Sequence, residues 1–247
     1  MQPKTINSIE ELFQLLTAQS FSLFLGHSNS SYHLETSLAR NGGDELSILR
    51  NFSKYAALEG ASIWKQMVIG QHHGLPTRLL DWSHSPLVAL YFATNERNPE
   101  DIHKHDCAVW QIKAQEVNSL LPIRYKAMLH KDALFFTLKQ LKNKHIKLRQ
   151  IDEDQAVILL EPPAIDARII NQFSFFSVVP HSLNMETFLE STSNTIKYII
   201  SKHIRHEIRN MLDKLNISER TMLLGLDGMC MQLNRFYKVS KQITSEA

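Results

Sequence analysis

Hydrophobic residues follow two different periods along this chain. Short apolar or alternating runs predict β-strands at residues 21–27, 107–112, 155–161, within 168–179 and at 195–200. Helical spacing predicts helices at residues 6–18, 44–55, 62–69 and 86–95, and across the carboxy-terminal third. Because the helices cluster early and late and do not alternate regularly with the strands, the pattern predicts an α+β fold.

The stretch from Gln71 to Ala93 shows neither period until Ser85. Ser85 is typical of a helix N-cap and Pro86 of a first helical position, so we expect a helix to begin there. Residues 74–83 before it predict a polar loop, and loops rich in titratable groups are where binding and catalysis concentrate. The alternative is that Arg78 and Asp81 form a local ion pair that only folds the turn.

Composition indicates a globular protein. The 247 residues are 43% hydrophobic and 21% charged, which fits one large domain. The net charge of +2 is too small for the charge of the whole protein to attract nucleic acid. Cys107 and Cys230 are far apart, so neither a zinc–cysteine site nor a disulfide framework is supported. The amino-terminal segment lacks the apolar run of a signal peptide, and nothing approaches the ~18 apolar residues of a membrane span, so we expect a cytoplasmic protein.

Several catalytic classes lack their motifs. The pairs His72–His73 and His103-Lys-His105 lack the acidic partners of a zinc hydrolase, and histidines of this kind more often lie on the surface. Neither a G-x-x-x-x-G-K-[ST] nor a G-x-G-x-x-G phosphate loop is present, nor a G-x-S-x-G elbow. We therefore expect any catalysis to proceed without a metal.

Three polar sites lie in otherwise apolar surroundings: His27 after the first predicted strand, the loop with Thr77, Arg78 and Asp81, and Gln172 in a predicted strand. Buried polar groups left unpaired cost ~1–3 kcal/mol each. We therefore expect the three sites to converge on one cleft. Such a cleft suits a polar, phosphate-bearing ligand whose own bond breaks.

A basic run extends from Lys139 to Arg149, KQLKNKHIKLR, and contains no acidic residue. It is typical of a solvated face, and equally of a docking site for a phosphate backbone.

Several blocks of the chain resemble the FRG domain family, named for a Phe-Arg-Gly motif. The blocks are FLGH and SLAR, QHHGLPTRLLDWSHSPLVALYFA, RIINQFSFFSV and LLGLDGMCMQL. The resemblance implies a single FRG-type domain over residues 1–247, with a core at about 21–233. Leu25 stands where the family has its arginine, and Phe173-Ser174 where relatives tend to have a glycine.

The order of the blocks is also similar to that of the ADP-ribosyltransferase fold. This resemblance implies a split β-sheet core with flanking amino- and carboxy-terminal helices, NAD as co-substrate and no metal. Arg78 and Arg40 would hold the diphosphate, Gly26 would pair with the carboxamide through its backbone, and Gln172 would orient the ribose or the acceptor. The implied catalytic residues are Gln172, Arg78 and His27. The implied NAD-binding residues are Phe24, Gly26, Arg40, Thr77, Asp81, Ser83 and Tyr91.

The family resemblance further implies a toxin or anti-phage effector that transfers ADP-ribose from NAD to a macromolecule, with an antitoxin or immunity protein as partner. The basic run makes RNA or single-stranded DNA the expected acceptor. Two alternatives remain open. One is a non-catalytic FRG binding module, favoured by Leu25 and by the absence of a glutamate near Gln172. The other is a nucleic-acid-processing enzyme, for which no paired carboxylates appear.

Overall fold

A mixed eight-stranded sheet forms the centre of the described part of the chain. The computed structural model describes residues 2–17, 21–95, 102–129, 133–165 and 167–244, with side chains described to Tyr237. The strands are β1 (Lys4–Ile6), β2 (Ser22–His27), β3 (Leu79–Ser83), β4 (Cys107–Lys113), β5 (Phe136–Thr137), β6 (Ile158–Glu161), β7 (Ser174–Val178) and β8 (Ile196–Ile200). Their order is β1-β8-β4-β2-β3-β7-β6-β5, with β1/β8 and β5/β6 parallel and the other pairs antiparallel.

Helices surround the sheet, so the predicted α+β class is confirmed. A 3-10 turn spans Glu10–Leu12. The helices are α1 (Phe13–Leu16), α2 (Ser37–Asn41), α3 (Glu45–Tyr55), α4 (Ile63–His72), α5 (Pro86–Thr94), α6 (Ala114–Ser119), α7 (Ile123–Lys126), α8 (Leu138–Asn143), α9 (Leu148–Glu153), α10 (Ala167–Asn171), α11 (Met185–Glu190), α12 (Arg205–Lys214), α13 (Glu219–Met222) and α14 (Gly225–Thr244).

The sheet is nearly divided between β2 and β3. Within the described strands these two pair at one position, Phe24 with Ser83, whereas β2 and β4 pair at six and β3 and β7 at five. Continuing the antiparallel register by two residues would set Gly26 opposite Asp81, but no pair forms there. The strands therefore separate after the Phe24–Ser83 pair and leave a gap.

The gap is covered by a continuous core on one face of the sheet and is open on the other. On one face a single core crosses it, because Leu25 on β2 belongs to the same buried cluster as Leu80 and Trp82 on β3. On the other face Phe24 belongs to a cluster built with α5, and Leu79 to a separate cluster built with α4. The first face holds the two halves together, and the second leaves a cleft between its two cores.

Helix α5 lies directly on β2, and Gly26 permits the contact. The side chain of Ser85 accepts a hydrogen bond from the Val88 amide, and Pro86 occupies the first turn, as predicted. A Cβ on Gly26 would lie 2.0 Å from the Ala89 carbonyl oxygen. Only glycine lets the strand approach the helix backbone this closely, so the residue is required for packing.

Three sequence predictions were wrong in detail. The expected polar loop at 74–83 contains strand β3, in which Asp81 is exposed between buried neighbours. Gln172 was expected in the strand predicted within residues 168–179, but it lies in the turn between α10 and β7, the strand of that region. The predicted first helix at 6–18 is shorter than expected, because Ile6 ends β1 and the helical residues run from Glu10 to Leu16; Ala18 lies outside the described residues.

Candidate functional site

The cleft between β2 and β3 has a volume of about 1190 Å³. Its lining comes from the edges of both strands, the end of α4, one side of α5, the start of β7 and helix α2. Its volume exceeds the ~300–1,000 Å³ of common small-molecule sites, so an extended ligand fits. Beyond Phe24, none of the described strands pairs with the edge of β2 on this side, so its peptide groups border the cleft.

The cleft brings together most of the residues that were predicted for the site. Those that line it are Phe24, Gly26, His27, Arg40, Asp81, Ser83 and Gln172. Three others do not line it: Thr77, Arg78 and Tyr91. Each of these three is almost fully buried and has a structural role.

Arg78 was expected to hold a ligand's diphosphate, and the structure corrects this. Its side chain is 3% exposed; Nε donates to both carboxylate oxygens of Glu45, at 3.0 and 2.8 Å. Its Nη1 donates to Asp152 Oδ1 at 2.9 Å. The alternative, an ion pair between Arg78 and Asp81, does not form, and the Asp81 carboxylate accepts a hydrogen bond from Gln71 instead. Arg78 therefore ties α3 and α9 to the start of β3.

Thr77 and Tyr91 also need correction. Thr77 accepts a hydrogen bond from the Leu79 amide at 3.1 Å and donates its hydroxyl to Gln71 Oε1, so it shapes the turn before β3. Tyr91 lies in the core beneath Arg209, whose guanidinium is 4.4 Å from the ring centroid. Burial raises the pKa of Tyr91 to about 12. Neither side chain reaches the cleft.

Asp81 is the carboxylate at the centre of the cleft. It faces the gap from the middle of β3, and Gln71 Nε2 donates to its Oδ2 at 2.8 Å. Although the side chain meets solvent, the surrounding protein displaces water, and this raises the pKa of its carboxyl; the Gln71 hydrogen bond and the charge of His72 oppose the rise.

His27 ends β2 at the cleft as a neutral imidazole. Burial, followed by the charges of Lys197 and Arg40, lowers the pKa of His27 to about 4. Its ring lies 6.2 Å from that of Tyr32, and among the described residues its Nδ1 has no hydrogen-bond partner of ordinary geometry. At neutral pH His27 therefore lines the cleft without contributing a charge.

The turn that carries Gln172 holds the carboxy-terminal helices to the cleft wall. Asn171, Gln172 and Arg168 donate to the carbonyl oxygens of residues 221–223, at 3.0, 2.7 and 3.0 Å. These carbonyls end α13, where helical partners are lacking. The backbone carbonyl of Gln172 also accepts from the Ser83 hydroxyl at 2.7 Å, so the turn is fixed from both sides.

The polar residues of the lining that the sequence prediction did not place in the site include Gln71, His72 and Arg168. Gln71 and His72 were present in the central block, but their role depends on α4 ending beside β3. Arg168 donates to the His72 carbonyl at 2.8 Å, a contact across 96 residues that no local pattern reveals.

Within the described ranges, no three His, Cys, Asp or Glu side chains are gathered as metal ligands. Among the helices of the described part, none combines the length and apolar content that crossing a bilayer requires.

Comparison with known proteins gives one family. No curated protein and no solved structure matches the chain significantly. A family model, that of the FRG domain, matches residues 20–102, which include β2, α2–α4, β3 and α5. The cleft's two strand edges and the helix seated on Gly26 all fall within that match. The chain is therefore similar to the FRG domain family over residues 20–102, the part that holds both strand edges of the cleft.

Proposed function

We propose that this protein is an ADP-ribosyltransferase-like enzyme that cleaves NAD in the cleft between β2 and β3. One observation carries the proposal. Among the described strands, β2 and β3 separate after a single pair of residues, and the stretch of β2 beyond that pair lines a cleft of about 1190 Å³, which has room for a dinucleotide. Peptide N–H and C=O groups at such an edge need partners, and a carboxamide such as that of nicotinamide offers both a donor and an acceptor.

Polar groups of the lining match the other parts of NAD. Arg40 is exposed at the end of α2, where it can meet a diphosphate, and Nη1 donates to the Glu35 carbonyl at 2.7 Å, which orients the guanidinium. The cleft thus supplies an exposed cation without Arg78. Gln172 donates one Nε2–H to the Met222 carbonyl, which leaves its amide oxygen and second N–H for a ribose hydroxyl or an acceptor.

Few catalytic groups are required for the reaction. The glycosidic bond of NAD breaks with its electron pair passing to the nicotinamide nitrogen, and a nucleophile from the target bonds to the ribose carbon. The role of the protein is to bind, orient and exclude water. The strand edge, Arg40 and Gln172 all line one cleft, which supports this role.

The expected acceptor is RNA or single-stranded DNA. Five basic residues of α8–α9 are exposed: Lys139, Lys142, Lys144, Lys147 and Arg149. Of these, Arg149 pairs with Glu153 at 2.8 Å. Clustered exposed cations of this kind attract a phosphate backbone, and the attraction weakens with salt.

A labelled-NAD experiment tests the proposal. Purified protein is incubated with NAD labelled in the adenylate and with cellular RNA, DNA and protein in separate reactions. We expect nicotinamide release and label in one acceptor fraction. Arg40→Ala should raise KM for NAD without lowering the melting temperature, while Arg50→Ala, exposed on α3, should match the wild type. Intact NAD and unlabelled acceptors with folded protein would refute the proposal.

A second function has one observation in its favour. Leu25, which stands at the arginine position of the family motif, is 8% exposed and packs in the core shared by both halves of the sheet. A cleft that binds a nucleotide without cleaving it, as a non-catalytic FRG module, is consistent with this replacement. NAD binding without nicotinamide release would favour that function.

A further inference from the structure

Asp81 occupies a special position in the gap. It lies in the middle of β3, two residues from the last pair with β2, on the strand edge that faces Gly26 across the opening. Its register partner on β7 is Phe176, and the ring of His72 packs on Phe176 with centroids 5.7 Å apart. The carboxylate is therefore held between an apolar floor and the cleft.

A chain of hydrogen bonds fixes the orientation of this carboxylate. The Leu79 amide donates to Thr77 Oγ1 at 3.1 Å, so the Thr77 hydroxyl has its own proton to give to Gln71 Oε1. That contact assigns the carbonyl end of the Gln71 amide and turns Nε2 toward Asp81 Oδ2 at 2.8 Å. Thr77 is 0% exposed, so the far end of the chain is anchored in the protein interior.

The charged groups around Asp81 are few. From α4 the nearest is His72, and from α10 Arg168 lines the same cleft, while α5 contributes the apolar Val88, Ala89 and Phe92. The remaining titratable groups of the lining are His27, Tyr32, His33, Glu35 and Arg40. An oriented carboxylate with one side toward a ligand cleft is the arrangement of a general base.

We propose that Asp81 is the catalytic base of the transfer, and that Gln71 and Thr77 are its positioning residues. The inference rests on the proposed ADP-ribosyl transfer. As the bond between ribose and nicotinamide breaks, the nucleophile bonds to the ribose carbon and its proton passes to Asp81, which later releases it to water. Nicotinamide leaves uncharged, because it receives the electron pair of the broken bond.

The role has a signature in the pH dependence of the rate. The base must be ionised, so the transfer rate falls as pH drops through the pKa of Asp81. The Gln71 hydrogen bond lowers that pKa, so its removal in Gln71→Ala should move the acid limb to higher pH. Thr77→Val should move it in the same direction, because Gln71 then loses the contact that orients its amide. A residue that only supports the fold would leave the limb in place.

The experiment measures single-turnover nicotinamide release and acceptor labelling against pH for wild type, Asp81→Asn, Gln71→Ala and Asp227→Asn, an exposed control on α14. We expect Asp81→Asn to lose roughly 10²- to 10⁴-fold in rate and the acid limb with it. Its Kd for NAD should change little, and Asp227→Asn should behave as wild type. Thermal unfolding confirms that each variant is folded, and Gln71→Ala provides the answer if Asp81→Asn does not fold.

The outcomes separate the two proposals. A wild-type protein that binds NAD and releases no nicotinamide at any pH would overturn the transferase function and this role with it. Active wild type alongside an equally active Asp81→Asn would overturn the role of Asp81 alone. An acid limb that does not move in Gln71→Ala would overturn the positioning role.

Discussion

Replacing Arg78 should cost stability. The side chain is 3% exposed and makes three bonds to Glu45, which is also buried, and one to Asp152. Removing one partner of a buried ion pair leaves an uncompensated charge and costs about 3–5 kcal/mol. For a chain of this length, that corresponds to a fall in melting temperature of roughly 6–20 °C. We expect urea unfolding of Arg78→Met to show a free energy of unfolding that is lower by about 3–5 kcal/mol.

Two further variants control this prediction. Replacing both partners, in Arg78→Met with Glu45→Leu, should recover much of the loss, because no buried charge is then left unpaired. Arg149→Ala removes an exposed arginine from its pair with Glu153, and should cost no more than about 0.5 kcal/mol. A stable Arg78→Met protein that no longer acts on NAD would refute the structural role and return Arg78 to the site.

The other predictions concern packing, acid stability and the core. Gly26→Ala should cost at least about 1–3 kcal/mol in the free energy of unfolding, because its Cβ meets helix backbone, whereas Gly70→Ala meets only a leucine side chain and should stay within about 1 kcal/mol. Burial acts to raise the pKa of Glu219, but the hydrogen bond from Arg235 and the charge of Arg209 together outweigh it and hold the pKa below the ordinary 4.5. The resulting stability is therefore present above the unfolded pKa and lost as pH falls through the folded pKa, and Glu219→Gln should show a shallower loss in acid unfolding. Tyr91→Phe should keep wild-type NAD turnover and change stability by less than about 0.5 kcal/mol, since its hydroxyl has no hydrogen-bond partner of ordinary geometry among the described residues; a marked loss of turnover would place it in the site.

Local sequence patterns predicted the elements whose residues obey one period. The run ending at His27 and the helix after Ser85 were located well, because the first is a continuous apolar run and the second carries its own cap, whereas the strand before Pro162 begins at Ile158, later than predicted. Strand β3 was missed because Asp81 interrupts its apolar residues. A carboxylate in a strand resembles a loop residue until the gap beside it is known.

The site residues, like the helices and strands, were predicted correctly only in part. His27, Asp81 and Gln172 were predicted because each stands out among apolar neighbours, and the fold brings them to one cleft. Arg78 stands out in the same way, but its partners Glu45 and Asp152 are 33 and 74 residues away, and only the folded chain shows them. A polar residue among apolar neighbours in the sequence thus indicates a tertiary polar contact. Only the folded structure shows whether that contact is with another residue or with a ligand site.

Hydrogen–deuterium exchange with and without NAD tests most directly whether the cleft between β2 and β3 binds this ligand. We expect saturating NAD to slow exchange at residues 25–28, the end of β2 and the residue after it, where none of the described strands pairs with β2 on the cleft side, and to leave the amides of α14 unchanged. Unchanged exchange at residues 25–28 under saturating NAD, or protection confined to other elements, would contradict it.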